Sequence, residues 1–215
     1  MPRPTRLAAL IRPGAGLNVF SRIASHLLWY GTFCLEIGAT TPFLYSFRDR
    51  EKVLDLFEMA CGARLLYNYI RIGGVSHNLT QKFLDGMIEF LDYWEPLIPE
   101  YEQLLDENPI FYNRTQGVGI VTLDQIKTYG VSGPNIRAAG LPRDVRRDDP
   151  FSVYHELEFD LPMEQESDVF ARYRVRMREL RESARILRQC YEKIPAGPHC
   201  LPLNYRFKVP EGETY

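Results

Sequence analysis

The sequence has few of the residues from which metal centres and disulfide frameworks are built. Its four cysteines stand at positions 34, 61, 190 and 200, and none belongs to a Cys-x-x-Cys pair. Zinc and iron–sulfur sites usually place ligands about two to four residues apart. We therefore expect this chain alone to bind no metal or other cofactor, and its cysteines to be free thiols.

A basic excess is also lacking. The 26 lysines and arginines are balanced by 28 aspartates and glutamates, which gives a formal net charge of -2. Domains that bind nucleic acid usually concentrate positive charge on one face. This balance therefore favours partners other than nucleic acid.

No apolar run is long enough to cross a membrane. The most apolar segment, residues 23–37, is interrupted by His26 and Glu36, whereas a spanning helix needs about 20 predominantly apolar residues. Residues 1–16 have no amphipathic period and contain Gly14 and Gly16, so we expect them to be poorly ordered.

The remaining sequence predicts a mainly α-helical protein with minor β segments. Residues 17–37 are apolar almost all round, as in a helix buried within a larger body. A second helix is expected from Thr40 or Thr41 to near Gly62, then a short extended piece over 65–72. Helical spacing over 80–106 is interrupted by Pro96 and Pro99, which predicts a kink or two helices in series. A short helix at 122–129, a strand at 154–161 and a last helix at 166–193 complete the prediction.

Polar residues on the first helix are candidates for chemistry. On a helical projection at 100° per residue, five side chains fall within one arc of about 80°. They are Arg22, His26, Trp29, Phe33 and Glu36. Either His26 and Glu36 face a cavity, where they handle protons or bind a polar ligand, or they are satisfied core groups. The second interpretation pairs Glu36 with an arginine, because a bare buried carboxylate is costly.

The last helix combines a core stripe with many arginines. The predicted core residues are Val169, Tyr173, Met177, Leu180, Ala184, Leu187 and Tyr191. The arginines are Arg172, Arg174, Arg176, Arg178, Arg181, Arg185 and Arg188. They fit a solvated face, or structural arginines that hold loops and a neighbouring subunit through bidentate bonds. A nucleic-acid surface is disfavoured because Glu179 and Glu182 interrupt the basic stripe.

Three glycine motifs resemble phosphate-binding loops in composition. They are Gly73-Gly74, Gly117-x-Gly119 and Ser132-Gly133-Pro134. None has the spacing of a nucleotide-binding loop that follows a strand. Tight turns explain them better.

Nine stretches, in order, resemble one protein family. They are Arg22-Ile-Ala-Ser-His26-Leu-Leu, Ile37-Gly-Ala-Thr-Thr-Pro-Phe43, Phe47-Arg-Asp-Arg-Glu51, Cys61-Gly-Ala-Arg64, Tyr69-Ile-Arg71-Ile-Gly-Gly-Val75, Gly117-Val-Gly-Ile, Val131-Ser-Gly-Pro134, Ile136-Arg137-Ala-Ala-Gly140 and Arg172-Tyr-Arg-Val-Arg176-Met-Arg-Glu-Leu-Arg-Glu-Ser183. Together they resemble the D-type subunit of the proton-pumping NADH:quinone oxidoreductase, respiratory complex I. The resemblance covers residues 17–193, and Phe207–Tyr215 weakly resembles the start of the family's C-terminal half.

This resemblance implies a fold, a substrate and partners. The family has a largely helical fold derived from a nickel–iron hydrogenase large subunit. It lies against a small iron–sulfur subunit, whose terminal 4Fe-4S cluster passes electrons to quinone between the two subunits. Other peripheral-arm subunits and the membrane arm are the further partners. The implied location is peripheral, on the cytoplasmic side of an energy-transducing membrane.

The resemblance also implies roles for five residues. Glu36 stands where relatives carry an aspartate beside the quinone pocket, and is the candidate catalytic residue. His26 matches a histidine near the terminal cluster. Arg64, Arg71 and Arg137 match arginines around the cluster and the pocket.

Two other functions fit the same resemblance. The family's N-terminal hairpin with its quinone-head histidine is missing, as is the C-terminal half, so we expect a chain truncated at both ends. Residues 17–193 then form the central helical part and residues 194–215 a linker into the absent half. Such a piece could be an inactive fragment that only docks onto its partner, or derive from a membrane-bound hydrogenase relative.

Overall fold

The computed structural model describes residues 4–71, 74–194 and 199–200, with side chains from residue 14 onwards. The described chain is mainly α-helical, as predicted. One continuous apolar core contains side chains of the four longest described helices. The weakly matching segment at residues 207–215 lies outside the described part.

Helix α1 spans Pro4–Ile37, so it begins well before the predicted start at residue 17. The expectation of poor order at residues 1–16 stays a prediction. Ala15 and Leu17 are buried, and a Cβ atom at Gly14 would lie 3.3 Å from Ile70 Cγ1 and 3.7 Å from Val75 Cγ1. This packing stabilises a stretch in which glycine lowers the intrinsic helix propensity.

Helix α2 covers Thr40–Cys61 and packs closely against α1. As predicted, it ends at Gly62, whose φ of 77° is the left-handed conformation of a helix C-cap. The two helices approach at Gly31, where an added Cβ would lie 2.5 Å from Ser46 Oγ and 3.1 Å from Phe47. The glycine permits this short interhelical distance.

A small antiparallel hairpin follows α2. Strand β1 (Ile70–Arg71) pairs with β2 (Gly74–Val75) in the register Ile70 to Val75. The chain near residue 200 adds a further bridge, Gly74 to Cys200, supported by a hydrogen bond of 3.0 Å from Val75 N to His199 O. The extended piece predicted at 65–72 is thus confirmed only at its end.

Two helices in series follow, as predicted for the segment with two prolines. Helix α3 spans Gln81–Trp94, a 3-10 turn covers Glu95–Leu97, and α4 spans Ile98–Asp106. Shorter helices come next: α5 (Pro109–Thr115), α6 (Leu123–Thr128), α7 (Pro134–Ala138) and α8 (Val145–Asp148). Helix α6 confirms the short helix expected near 122–129.

The strand predicted at residues 154–161 is not formed. Tyr154–Glu156 is a 3-10 turn, and residues 157–164 run without regular structure along helix α9 (Val169–Glu192). Side chains of that helix take the place of a partner strand. Gln189 Oε1 accepts from Glu158 N at 2.8 Å, and Glu182 Oε2 accepts from Asp160 N at 2.9 Å. Alternating apolar residues here reflect packing on a helix.

Helix α9 spans Val169–Glu192 and begins with Asp168 as its N-cap, which accepts from Ala171 N at 2.7 Å. Most of the predicted core stripe is buried, but Val169 is only partly buried and Tyr191 is exposed. A second buried row adds Ala171, Val175, Glu179 and Ser183 at four-residue spacing. A charged residue therefore occupies a core position.

Candidate functional site

A buried carboxylate, Glu179 of α9, joins three separate elements of the fold. His26 Nε2 of α1 lies 2.7 Å from Glu179 Oε2. Arg137 of α7 donates two hydrogen bonds to the other oxygen, one from Nε at 3.0 Å and one from its terminal NH2. Only 3% of the Glu179 side chain is exposed, so these contacts satisfy a charge that is removed from water.

The surroundings of Glu179 and His26 determine the protonation states of both side chains. Burial by itself would raise the pKa of Glu179, but the hydrogen bond with His26 and the charge of Arg137 outweigh it and lower the pKa to about 2. Burial lowers the pKa of His26, more than its bond to Glu179 raises it. Near neutral pH, His26 is therefore neutral and donates its Nε2–H to an ionised Glu179.

A second buried ion pair lies beside the first. Asp144 accepts from Arg146 Nε at 2.9 Å and from its terminal NH2 at 2.5 Å. Arg137 Nη1 is 3.6 Å from Asp144 Oδ2 and also donates to Arg143 O at 3.2 Å. Burial opposes ionisation of Asp144, yet the bonds from Arg146 prevail and lower its pKa. Arg137 thus connects the two carboxylates.

These groups line a pocket of about 380 Å³ between α1, α7, α8 and α9. Arg22 and His26 come from α1, and Arg137 and Glu179 form the inner wall. Val145 and Phe151, about half exposed, stand at the rim. The site therefore combines a cationic lining with apolar edges.

Of the five residues singled out from the sequence, His26 and Arg137 meet at this pocket. Arg64 does not; it forms surface ion pairs with Glu51 and Asp55 of α2. Arg71 is exposed on strand β1 and does not line the pocket either.

The prediction that Glu36 faces the same cavity as His26 is wrong. Glu36 is exposed near the end of α1 and does not line the pocket. Ten helical residues separate the two side chains by about 15 Å along the axis. An arc on a helical projection ignores this axial distance.

Glu179 and Asp144 are site residues that the sequence did not reveal. In the sequence, Glu179 stands out only as an interruption of a basic stripe. Its four-residue spacing from Val175 and Ser183, both buried, was the available signal. Asp144 is the N-cap of the short helix α8, where its Oδ1 accepts a hydrogen bond from Arg146 N at 2.9 Å. The sequence does not show which arginine side chain pairs with it.

The arginines of α9 are structural. Five of them pair with acids on other elements: Arg174 and Arg178 with Glu164, Arg181 with Glu102, Arg185 with Asp160, and Arg188 with Glu95. Arg172 donates to Ser167 O at 2.8 Å, and Arg176 stacks over Trp29 at 4.5 Å. The interpretation as arginines that hold loops fits these contacts best.

The glycine motifs behave as turns. Gly117, Gly119 and Gly133 have φ values of 70°, 64° and 69°, a region that other residues rarely adopt. Within the described residues, no His, Cys, Asp or Glu side chains are grouped so as to hold a metal ion. No helix in the same part of the chain has the length and hydropathy required to cross a membrane.

Comparison with known proteins finds similarity to one family. The profile of the family described as respiratory-chain NADH dehydrogenase, 49 Kd subunit, matches residues 36–214. The D-type subunit of NADH-quinone oxidoreductase from Syntrophobacter fumaroxidans is 42% identical over 197 residues, which are 91% of this chain and 53% of that protein. The H-type subunit of the chloroplastic NAD(P)H-quinone oxidoreductase from Marchantia polymorpha is 48% identical over 178 residues, or 83% of this chain and 45% of its own length.

The family profile covers more than half of this chain, and the described residues are mainly helical. The chain belongs to the family of the 49 kDa subunit of respiratory-chain NADH dehydrogenase. It spans about half the length of the curated relatives that it matches.

Proposed function

We propose that this chain acts as a quinone-site subunit of a proton-translocating NADH:quinone oxidoreductase. It helps to transfer electrons from the 4Fe-4S cluster of a small iron–sulfur subunit to quinone. The observation that carries the proposal is the convergence of His26 and Arg137 on Glu179. The family resemblance assigned both residues to the surroundings of the cluster and the quinone.

The exposed face of α1 supports a role within an assembly. Leu28 and Leu35 are 39% and 40% exposed, and they are seven residues apart on the helix. Residues at that spacing lie on one face, and Glu36 is next to the second of them. In the proposed complex a neighbouring subunit covers this face, and Glu36, about 100° further around the helix at the edge of that contact, delivers protons to reduced quinone. The chain then lies at the cytoplasmic side of the membrane, attached through the membrane arm.

Co-expression with a small iron–sulfur subunit and the other peripheral-arm subunits of a relative tests this proposal. The tagged chain is expected to co-purify with the iron–sulfur subunit, and the assembly to reduce a short-chain quinone with NADH. The chain alone is expected to reduce none. Failure to associate would contradict the proposal.

The two alternatives are distinguished by different observations. An inactive interaction piece associates with the iron–sulfur subunit, but the assembly reduces no quinone. A hydrogenase relative is separated by the flanking DNA sequence, in which a Cys-x-x-Cys pair upstream favours the hydrogenase and a quinone-site hairpin favours the quinone subunit. Glu179→Ala in the active assembly should lower quinone reduction more than Glu182→Ala, since only the former releases His26 and Arg137.

A further inference from the structure

The pocket beside His26 has a surplus of positive charge. Four arginines line it, Arg22, Arg137, Arg143 and Arg146, against two carboxylates, Asp144 and Glu179. His26 is neutral near pH 7 and adds no charge. Two positive charges therefore remain unbalanced in a concave and partly buried site.

The two carboxylates are already occupied. Glu179 accepts from Arg137 and His26. Asp144 is held by Arg146 at 2.5 Å and lies 3.6 Å from Arg137. Arg137 and Arg146 thus neutralise the two carboxylates of the pocket.

Arg22 and Arg143 carry the surplus. Neither side chain makes an ion pair or hydrogen bond with another residue of the described segments 14–71, 74–194 and 199–200. Burial lowers the pKa of Arg22, and the neighbouring Arg146 lowers it further, more than Tyr154, Glu179 and Asp144 restore. An incoming anion would relieve this repulsion.

We propose that this pocket binds a carboxylate group, held by the guanidinium groups of Arg22 and Arg143. A planar guanidinium donates two parallel hydrogen bonds to a carboxylate, which suits this ligand class. Val145 and Phe151, 58% and 47% exposed at the rim, provide apolar contacts for the carbon skeleton beside it. The pocket also contains His26, Arg137 and Glu179, on which the proposed function rests, but carboxylate binding by Arg22 and Arg143 goes beyond that function and does not require it.

The carboxylate could belong to a free dicarboxylic acid or to an acidic side chain of a neighbouring protein. The 215-residue chain is titrated with succinate, with inorganic phosphate, and with a capped Asp-Leu-Asp peptide, at constant ionic strength maintained with chloride. Binding is measured by calorimetry and by the shift in thermal unfolding. We expect saturable binding of at least one carboxylate probe. A peptide that binds more tightly than succinate, and loses that advantage in Phe151→Ser, identifies a protein segment as the source; equal binding identifies a free acid.

Matched arginine variants separate this site from general electrostatic attraction. Arg143→Gln, at an exposed position, should weaken carboxylate binding by about tenfold, as expected for the loss of one charge-assisted contact. Arg147→Gln removes the same charge from an exposed position of α8 that does not line the pocket, and should leave the affinity within about twofold. Arg22→Lys, which keeps the charge but loses the planar donor pair, should also weaken binding.

Three results would overturn the proposal. They are no saturable binding of either carboxylate probe, equal weakening by Arg143→Gln and Arg147→Gln, or tighter binding of phosphate than of both carboxylate probes. The second result would show a diffuse charge effect, and the third a different class of ligand. Circular dichroism of each variant verifies that the fold is retained.

Discussion

At the scale of single residues, Glu179 illustrates how a buried charge holds a site together. Its two oxygens face different partners, His26 on one side and Arg137 on the other. Each partner comes from a different element, so neither can be displaced without leaving the carboxylate unsatisfied. A buried ion pair is itself weak evidence of stability, but removal of one partner exposes the full desolvation cost of the other.

Replacement of Glu179 by alanine leaves Arg137 buried without its main counter-charge. We expect the free energy of unfolding to fall by about 3–5 kcal/mol. The control is Glu182→Ala on the same helix, which loses a partly exposed ion pair with Arg185 at 3.6 Å and a hydrogen bond from Asp160 N at 2.9 Å, together expected to be worth about 1–2 kcal/mol. Urea unfolding of both variants measures the difference, and similar losses would contradict the assigned role.

Protonation of His26 should destabilise the fold. Because its pKa in the folded protein lies below the ordinary value of 6.5, the unfolded chain binds more protons between these two values. The stabilisation is complete above about pH 6.5 and declines as the pH falls, by at most about 1.4 kcal/mol per pH unit for one proton.

Urea unfolding between pH 7.5 and pH 5.5 checks this dependence. His26→Gln should flatten the decline, whereas His155→Gln, at an exposed position, should not. Glu179 adds a separate loss at lower pH, since its contribution is present above the ordinary glutamate pKa of 4.5 and disappears as the pH falls towards its folded pKa of about 2. A pH profile unchanged by His26→Gln would contradict the assignment.

At the scale of helices, the packing of α1 against α2 requires a glycine at position 31 but not at position 16. Gly31 faces Ser46 and Phe47 of α2, and an added methyl would lie 2.5 Å from Ser46 Oγ. Gly16 lies in the same helix with nothing within 4 Å of an added Cβ. The two positions therefore separate the packing cost of alanine from its helix propensity.

Gly31→Ala should destabilise the protein by about 1–3 kcal/mol, because the extra methyl forces α1 away from α2. Gly16→Ala should instead stabilise it by up to about 1 kcal/mol through better helix propensity. Thermal unfolding of the two variants gives the comparison. Equal effects of the same sign would refute this account of the α1–α2 contact.

The sequence predicted helices well where periodicity and caps agreed. The end of α2 at Gly62 and the interruption between α3 and α4 were both anticipated. The start of α1 and the strand at 154–161 were wrong, since both depend on tertiary partners. Gly14 packs against Ile70 and Val75 of the hairpin, and Glu158 and Asp160 bond to side chains of α9.

At the scale of the whole molecule, the candidate site was only half predictable. His26 and Arg137 were found through the family resemblance, because their motifs are short and local. Their common partner, Glu179, is 153 residues from His26 in sequence, and no local pattern reveals such a contact. Glu36 was assigned to the same cavity from angular position alone, although the axial distance along α1 separates them.

The exposed position of Glu36 leads to a prediction about the assembly. In the proposed complex, Glu36→Gln should lower the rate of quinone reduction but leave the stability of the isolated chain unchanged, because no partner is lost within the described residues. Glu36→Asp should retain most of the rate. Glu107→Gln, at another exposed acid, is the matched control, and an unaffected rate in Glu36→Gln would exclude a proton-delivery role.

The central structural claim is that Glu179 couples α1 and α7 through His26 and Arg137. Double-mutant cycles of unfolding free energy measure this coupling directly, with Glu179→Gln combined in turn with His26→Gln and Arg137→Gln. We predict an interaction energy of about 0.5–3 kcal/mol for each pair. Additivity within about 0.3 kcal/mol in both cycles would show that the three residues do not act as one unit.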